Sequence, residues 1–283
     1  MKTILTIKEF RKWRKGITGS IGFVPTMGAL HQGHLSLVEE SIKTCQNTIV
    51  SIYLNPAQFS PDEDLDKYPK TIDTDIKILS HFQVDCVFLP NDFEMYPKGF
   101  RTQIRENILS RVLEGNSRPD FFTGVITIVT KLFNIIEPTH VFFGEKDAQQ
   151  LLIIEKLILD LNYPIEIISC PIIREENGLA MSSRNEYLNN AERIIAATIQ
   201  QALQEGKNLI ISGERNSQII RDKIIHTISS EKLLRIDYVS VADSKTLIEI
   251  SDKIEGDILV SVAVYLGETR LIDNFSYSVP SNG

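Results

Sequence analysis

The sequence predicts an α/β protein: a Rossmann-like doubly wound parallel sheet followed by a second, smaller α+β domain. Three observations predict it. Apolar, β-branched runs alternate with segments of helical period from Ile21 to Ser169. Polar loops bearing glycine or proline follow the carboxyl ends of these runs. After Pro171 the order changes to helices first and strands last. The length of 283 residues suits two domains. The change of pattern near Pro171–Glu176 sets them at 1–173 and 174–283.

Residues 6–15 read as a surface helix with Trp13 as a packing anchor. Ile21–Pro25 is the first strand, and Leu35, Val38, Ile42 and Cys45 then recur at helical spacing. Thr48–Leu54 is apolar almost throughout, as a strand covered on both faces must be. Asn55–Pro61 is a rigid loop, with the acidic run Asp62–Asp66 behind it. A helix is expected over 71–82, a strand over Asp85–Leu89 and a helix over Arg105–Leu113. Phe122–Ile136 is apolar nearly all round, so it is buried in the core or against a second subunit. A fourth strand at His140–Phe143, a helix over Ala148–Leu161 and a fifth strand at Ile165–Ser169 complete the first half. A polar loop over Arg174–Asn190 opens the second. Helices near 191–204 and 216–230 follow, then strands at Ile236–Val241, Ile258–Tyr265 and Arg270–Phe275.

Composition excludes several classes. A net charge of −7 argues against a general nucleic-acid binder, which needs a basic face. No apolar run approaches the roughly 20 residues that span a bilayer. Charged Lys8–Lys12 leaves the start of the chain without a signal-peptide core. Cys45, Cys86 and Cys170 are widely spaced among apolar residues, so buried free thiols in a reducing cytoplasm are expected.

The chemistry-bearing stretch is Ile21–His34, a strand running through a glycine turn into a helix. A helix start offers backbone N–H groups and the positive end of its dipole, which suit an anion. Gly28 and Gly33 have no Cβ to hold a ligand away, and His31 and His34 stand beside them. The alternative is a surface turn with two solvated histidines. Asn55–Phe59 and Gly144–Gln150 follow other strands, and topology brings all three to one sheet edge. Met181–Arg184, at the start of the second domain, is the fourth element and is placed to close over that edge. Lys146 brings a point charge, Ser182, Ser183 and Arg184 bring hydroxyls and a guanidinium fork, and Gln58 and Gln150 both donate and accept. The bland readings are an exposed Lys146–Asp147 salt bridge, a helix N-cap at Met181–Arg184 and a turn stabilised by Gln58.

Together, Pro25–His34, Asn55–Phe59, Gly144–Gln150 and Gly178–Asn185 resemble the pantothenate synthetase family of pantoate–β-alanine ligases, over nearly the whole chain. The His-x-Gly-His element alone marks the wider nucleotidyltransferase superfamily, and Met181–Arg184 resembles that superfamily's second signature. The resemblance implies ATP-dependent condensation of pantoate with β-alanine through a pantoyl adenylate, releasing AMP and pyrophosphate. Carried onto matching positions, ATP meets Met27, Gly28, Ala29, Leu30, His31, Gln32, Gly33 and His34, with His34 as proton donor. Gly144, Glu145, Lys146, Asp147, Ile173, Met181, Ser182, Ser183 and Arg184 complete the ATP site. His34, His31 and Lys146 form the catalytic set. Gln58 meets pantoate and β-alanine, and Gln150 meets pantoate beside Asn55.

ATP is then a co-substrate accompanied by Mg²⁺ held mainly by its phosphates, with no permanently bound cofactor. Asp73 and Asp75 are candidate outer ligands, although a solvated helix turn is the preferred account of both. A homodimer is implied, without nucleic-acid or membrane partners. The family's Arg-Pro-Gly-His-Phe-Arg-Gly here reads Arg118-Pro119-Asp120-Phe121-Phe122-Thr123-Gly124, which removes any role of a histidine or arginine at Phe121 and Thr123. The rival readings are a nucleotidyltransferase that leaves AMP on its product and a nucleotide-binding protein without turnover.

Overall fold

The computed structural model describes residues 1–61 and 63–280. Asp62 of the acidic run and the last three residues of the expected second domain lie outside the described residues. The chain divides into two compact units. One holds Met1–Glu145 with Gln149–Pro171, and the other holds Lys146–Ala148 with the chain from Ile172 onward.

The first unit runs β1 (Lys2–Ile4), α1 (Ile7–Arg14), β2 (Ile21–Thr26), α2 (Gln32–Thr44), β3 (Asn47–Ile52), α3 (Ile72–Leu79), β4 (Cys86–Phe88) and α4 (Asp92–Met95). It continues with α5 (Glu114–Ser117), α6 (Phe121–Ile136), β5 (His140–Gly144), α7 (Ala148–Asp160) and β6 (Glu166–Cys170). Its sheet has six strands in the order β1-β4-β3-β2-β5-β6, and every pairing is parallel. The chain steps outward from β2 through β3 to β4, then returns to β5 on the other side of β2. That reversal makes β2/β5 the topological switch point, where open α/β sheets bind ligands at their carboxyl edge. Phe23, Val24, Ile49, Val50, Val87, Val141 and Phe142 are buried along the central strands, as sheets covered on both faces require.

The second unit runs α8 (Asn190–Ala196), α9 (Thr198–Ile211), α10 (Ser217–Ser229), β7 (Leu234–Asp243), β8 (Gly256–Leu266) and β9 (Thr269–Val279). The strands form an antiparallel sheet in the order β7-β8-β9. Ile199, Leu203, Ile210, Ile220, Ile224 and Ile228 of the helices share a core with Val260, Val262 and Val264 of β8. Among the described residues, no helix is long and apolar enough to cross a membrane.

Several expectations change. The sheet gains a sixth strand, β1, whose length of three residues is too short to show a period. The helix expected over Arg105–Leu113 is absent except for a 3-10 turn at Leu109–Arg111. There the Glu106 carboxylate accepts from Ile108 N (2.9 Å) and Ser110 N (2.7 Å), while the Gln149 amide donates to the carbonyls of Leu109 (2.7 Å) and Val112 (2.8 Å). These side chains take the backbone groups a helix would use. The segment 191–204 is two helices that meet at Ala197. α6 is buried on nearly all sides within its own unit, so its apolar surface does not call for a second subunit. Cys86 and Cys170 are buried free thiols as expected, but Cys45 is only half-buried. Burial raises Cys86 to about 12 and Cys170 to about 11.

Candidate active site

Met27–His34 leaves the carboxyl end of β2. Gly28 (φ +87°) and Ala29 (φ +51°) are both left-handed, and this pair reverses the chain ahead of α2. The turn is held from a distance. The Asp75 carboxylate, on α3 and 1% exposed, accepts from Ala29 N (3.0 Å), Leu30 N (2.9 Å) and Thr71 Oγ1 (3.1 Å). Asp75 is therefore neither a solvated turn residue nor placed as an outer metal ligand, whereas Asp73 is exposed. A Cβ at Gly28 would press on Asp75 Oδ2 and Ile52 Cγ2, both at 3.1 Å. Gly28 thus makes room for Asp75 as well as supplying the turn.

The helix start is closed by its own histidines. His31 is the N-cap of α2: its Nδ1 accepts from Gly33 N (3.1 Å), and His34 Nδ1 accepts from His31 N (3.4 Å). The two rings lie 4.1 Å apart between centroids. The backbone donors of Ala29, Leu30, His31 and Gly33 are all engaged within the chain. A backbone N–H can only donate, so each Nδ1 is an acceptor and each neutral ring carries its proton on Nε2.

Behind β3, Asn55 and Gln58 bracket a 3-10 turn over Pro56–Gln58, with Asn55 as its N-cap. Asn55 is 1% and Gln58 9% exposed. Asn55 Nδ2 donates to Gln58 Oε1 (3.0 Å), and Gln58 Nε2 donates to Met27 Sδ (3.0 Å). The structure therefore joins the loop after β3 to the histidine turn after β2. Arg118 donates to Glu63 (2.5 and 2.7 Å) and to the Gln58 carbonyl (3.3 Å). Burial disfavours the Glu63 carboxylate, but hydrogen bonds and charge from Arg118 outweigh it and lower its pKa. The Arg118 guanidinium lies 3.7 Å from the centroid of the Phe121 ring, so the residue that departs from the family pattern packs the arginine. Thr123 is buried. On α7, Gln149 is engaged with Glu114 N, Leu109 O and Val112 O, while Gln150 is half-buried.

Gly144 ends β5 beside the switch point, and Glu145 opens the 3-10 turn Glu145–Asp147 that follows it. The remaining candidates belong to the second unit. Lys146 Nζ lies 3.6 Å from Asp147 Oδ1, and the Lys146 carbonyl accepts from Asn274 Nδ2 (2.8 Å). Ile173 and Met181 are brought together by Met181 N donating to Ile173 O (2.9 Å), next to the antiparallel bridge between Arg174 and Ala180. Ser182 caps the 3-10 turn Ser183–Tyr187 by accepting from Arg184 N (3.3 Å), so the N-cap reading describes its hydroxyl here. Asn185, 2% exposed, donates to Glu175 Oε1 (2.8 Å) and Ala180 O (3.1 Å). Arg174 makes a two-pronged bond to buried Asp273 (2.6 and 3.0 Å).

Sequence reasoning missed Asp75, Arg118 and Asn185 as supports of the site. One signal was present for Asp75. It falls on the apolar stripe Ile72, Ile76, Leu79 of its helix, where a charge needs a buried partner.

The six-stranded parallel sheet and the histidine-capped helix at its switch point define a Rossmann-like α/β protein with a candidate ligand site at the carboxyl edge of the sheet. The comparisons narrow the class. A family model described as pantoate-beta-alanine ligase matches residues 2–276. A pantothenate synthetase of Clostridium botulinum (strain 657 / Type Ba4) is 49% identical over 283 residues, covering 99% of this chain and 100% of the relative. One from Acetivibrio thermocellus is 49% identical over 274 residues and covers 97% of both. The crystal structure of pantothenate synthetase from Thermus thermophilus superposes with a TM-score of 0.92 at 38% identity, covering 97% of this chain and 99% of that one. Pantoate-beta-alanine ligase from Francisella tularensis, complexed with beta-gamma ATP and beta-alanine, gives 0.80 at 35% identity, covering 97% of each. The chain belongs to the pantoate–β-alanine ligase family.

Proposed function

We propose that this chain joins pantoate to β-alanine at the expense of ATP through a pantoyl-adenylate intermediate, releasing AMP and pyrophosphate. The observation that carries the reading is the bond between Gln58 Nε2 and Met27 Sδ. It sets the residue assigned to pantoate against the turn assigned to ATP. The Francisella relative, bound to an ATP form and to β-alanine, supports the choice of substrates.

In the first step a pantoate carboxylate oxygen attacks the α-phosphorus and the bond to pyrophosphate breaks. In the second the β-alanine amine attacks the activated carbonyl, loses a proton and expels AMP. No protein nucleophile takes part, so catalysis rests on positioning and on donors aimed at developing charge. His31 and His34, held as Nε2–H donors by their caps, meet the phosphates as hydrogen-bond donors. Of the two, His34 is the proton donor of the catalytic set. Lys146 and Arg184 add positive charge, and Gly144–Asp147, Ile173 and Met181–Ser183 complete the ATP contacts. Gln58, Gln150 and Asn55 hold pantoate, and Gln58 also meets β-alanine. Mg²⁺ enters with ATP, coordinated chiefly by phosphate oxygens. The first domain, 1–173, carries ATP and pantoate, and 174–283 closes over ATP. The working form is a cytoplasmic homodimer.

The test is ATP–pyrophosphate exchange in the presence of pantoate alone. Exchange without β-alanine is expected. Exchange that needs β-alanine would remove the adenylate.

A further inference from the structure

A relay of amides and one phenol runs through the first unit, and backbone groups fix its polarity. The Gly124 carbonyl can only accept, and it takes Asn55 Nδ2 at 3.2 Å. The Ala57 N–H can only donate, and it gives to Asn55 Oδ1 at 3.4 Å. Asn55 therefore has one orientation. Gly124 is needed for this, because a Cβ there would collide with the Ala57 carbonyl and push α6 away from the turn.

The orientation propagates in both directions. On one side, Asn55 Oδ1 accepts from the Tyr96 hydroxyl at 2.7 Å. On the other, Asn55 Nδ2 donates to Gln58 Oε1 at 3.0 Å, which turns the Gln58 NH₂ group outward to Met27 Sδ. Tyr96 is held by its ring: it meets Phe100 edge-on at 5.1 Å, and Lys131 Nζ lies 4.6 Å from the Phe100 centroid and 5.8 Å from that of Tyr96. Burial, with Asp92 adding to it, pushes the Tyr96 phenol up to about 12, so it remains a donor at neutral pH.

We infer that Tyr96 is a positioning residue for substrate selection: its hydroxyl makes the shortest of the three bonds that orient Asn55, and so holds that amide where Gln58 must present an NH₂ donor, so this subsite takes an oxygen acceptor of the hydroxy acid. A thioether sulfur is a weak acceptor, and a substrate oxygen displaces Met27 Sδ from that NH₂. The inference rests on the proposed placement of pantoate at Gln58.

The test is steady-state kinetics on the full chain for Tyr96→Phe, Gln58→Ala, Gln58→Glu and the double variant Tyr96→Phe/Gln58→Ala. Tyr96→Phe keeps the ring and removes only the hydroxyl. It is expected to raise the pantoate KM about tenfold while moving the ATP KM by less than about twofold. It should add nothing to the rise caused by Gln58→Ala, because the relay acts only through that amide. Gln58→Glu should raise the pantoate KM more than Gln58→Ala, since it sets a carboxylate where the acid needs a donor. An unchanged pantoate KM in Tyr96→Phe, the same rise in the Gln58→Ala background, or a Gln58→Glu variant milder than Gln58→Ala overturns the inference alone. A flat pantoate KM in Gln58→Ala overturns the placement of pantoate and the inference with it.

Discussion

The two segments that resemble nucleotide signatures are held in opposite ways. The histidine turn after β2 takes its long-range backbone support from the Asp75 carboxylate, brought in from 45 and 46 residues along the chain to accept from Leu30 N and Ala29 N. The serine–arginine segment of the second unit is braced mainly by near neighbours. Met181 N bonds to Ile173 O, Arg174 bridges Ala180, and Asn185 reaches back to Glu175 and Ala180. A distant support is Asp273, 99 residues from Arg174. Concentrated support fails with a single substitution, whereas distributed support degrades in parts.

The largest expected effect comes from the chemistry the first support presents. In the proposed mechanism His34→Ala removes a donor aimed at phosphorus, and pantoate-dependent ATP–pyrophosphate exchange should fall by about 10²–10³, or roughly 3–4 kcal/mol. Exchange near the wild-type rate would show that the turn's geometry matters and this side chain does not. Asp75→Ala leaves the Ala29 and Leu30 N–H groups without their acceptor, so urea denaturation should show a loss of roughly 2–4 kcal/mol. A loss under about 1 kcal/mol would mean that water or a neighbour replaces the carboxylate. Asn185→Ala, in the braced segment, should cost less, about 1–2 kcal/mol, because the hairpin bonds remain. A loss larger than that of Asp75→Ala would reverse the comparison.

The smallest effect is a pH dependence. The Glu63 pKa is lowered when folded, chiefly by Arg118 against the opposing effect of burial. Its stabilising contribution is therefore complete above the unfolded value of about 4.3 and is lost as pH falls through the folded value. The stability gap between the wild type and Glu63→Gln should be open at pH 7 and close below about pH 4. A gap that stays constant across that range would place the effect of Glu63 outside its charge.

What was legible in the sequence followed from local periodicity. Ile21–Pro25 read as a strand from its short apolar run and Thr48–Leu54 as one covered on both faces, and α2 read as a helix from Leu35, Val38 and Ile42. Arg105–Leu113 misled for the converse reason. Its composition suits a helix, but Glu106 and Gln149 take its backbone groups, and Gln149 comes from another element. The candidate residues were readable as motifs, yet their supports were not. Tyr96 to Asn55, Asn55 to Gly124 and Ala29 to Asp75 span 41, 69 and 46 residues, and no local pattern encodes such pairings. The apolar face of α6 illustrates the same limit. Sequence shows that it must be covered, and only the fold shows that its own unit covers it.

The measurement that bears most directly on the account is release of AMP from ATP by the purified chain, with pantoate and β-alanine supplied together or singly. Stoichiometric AMP and pantothenate only when both acids are present is the predicted result. An adenylylated product that keeps its AMP, or ATP binding without any AMP release, would contradict it.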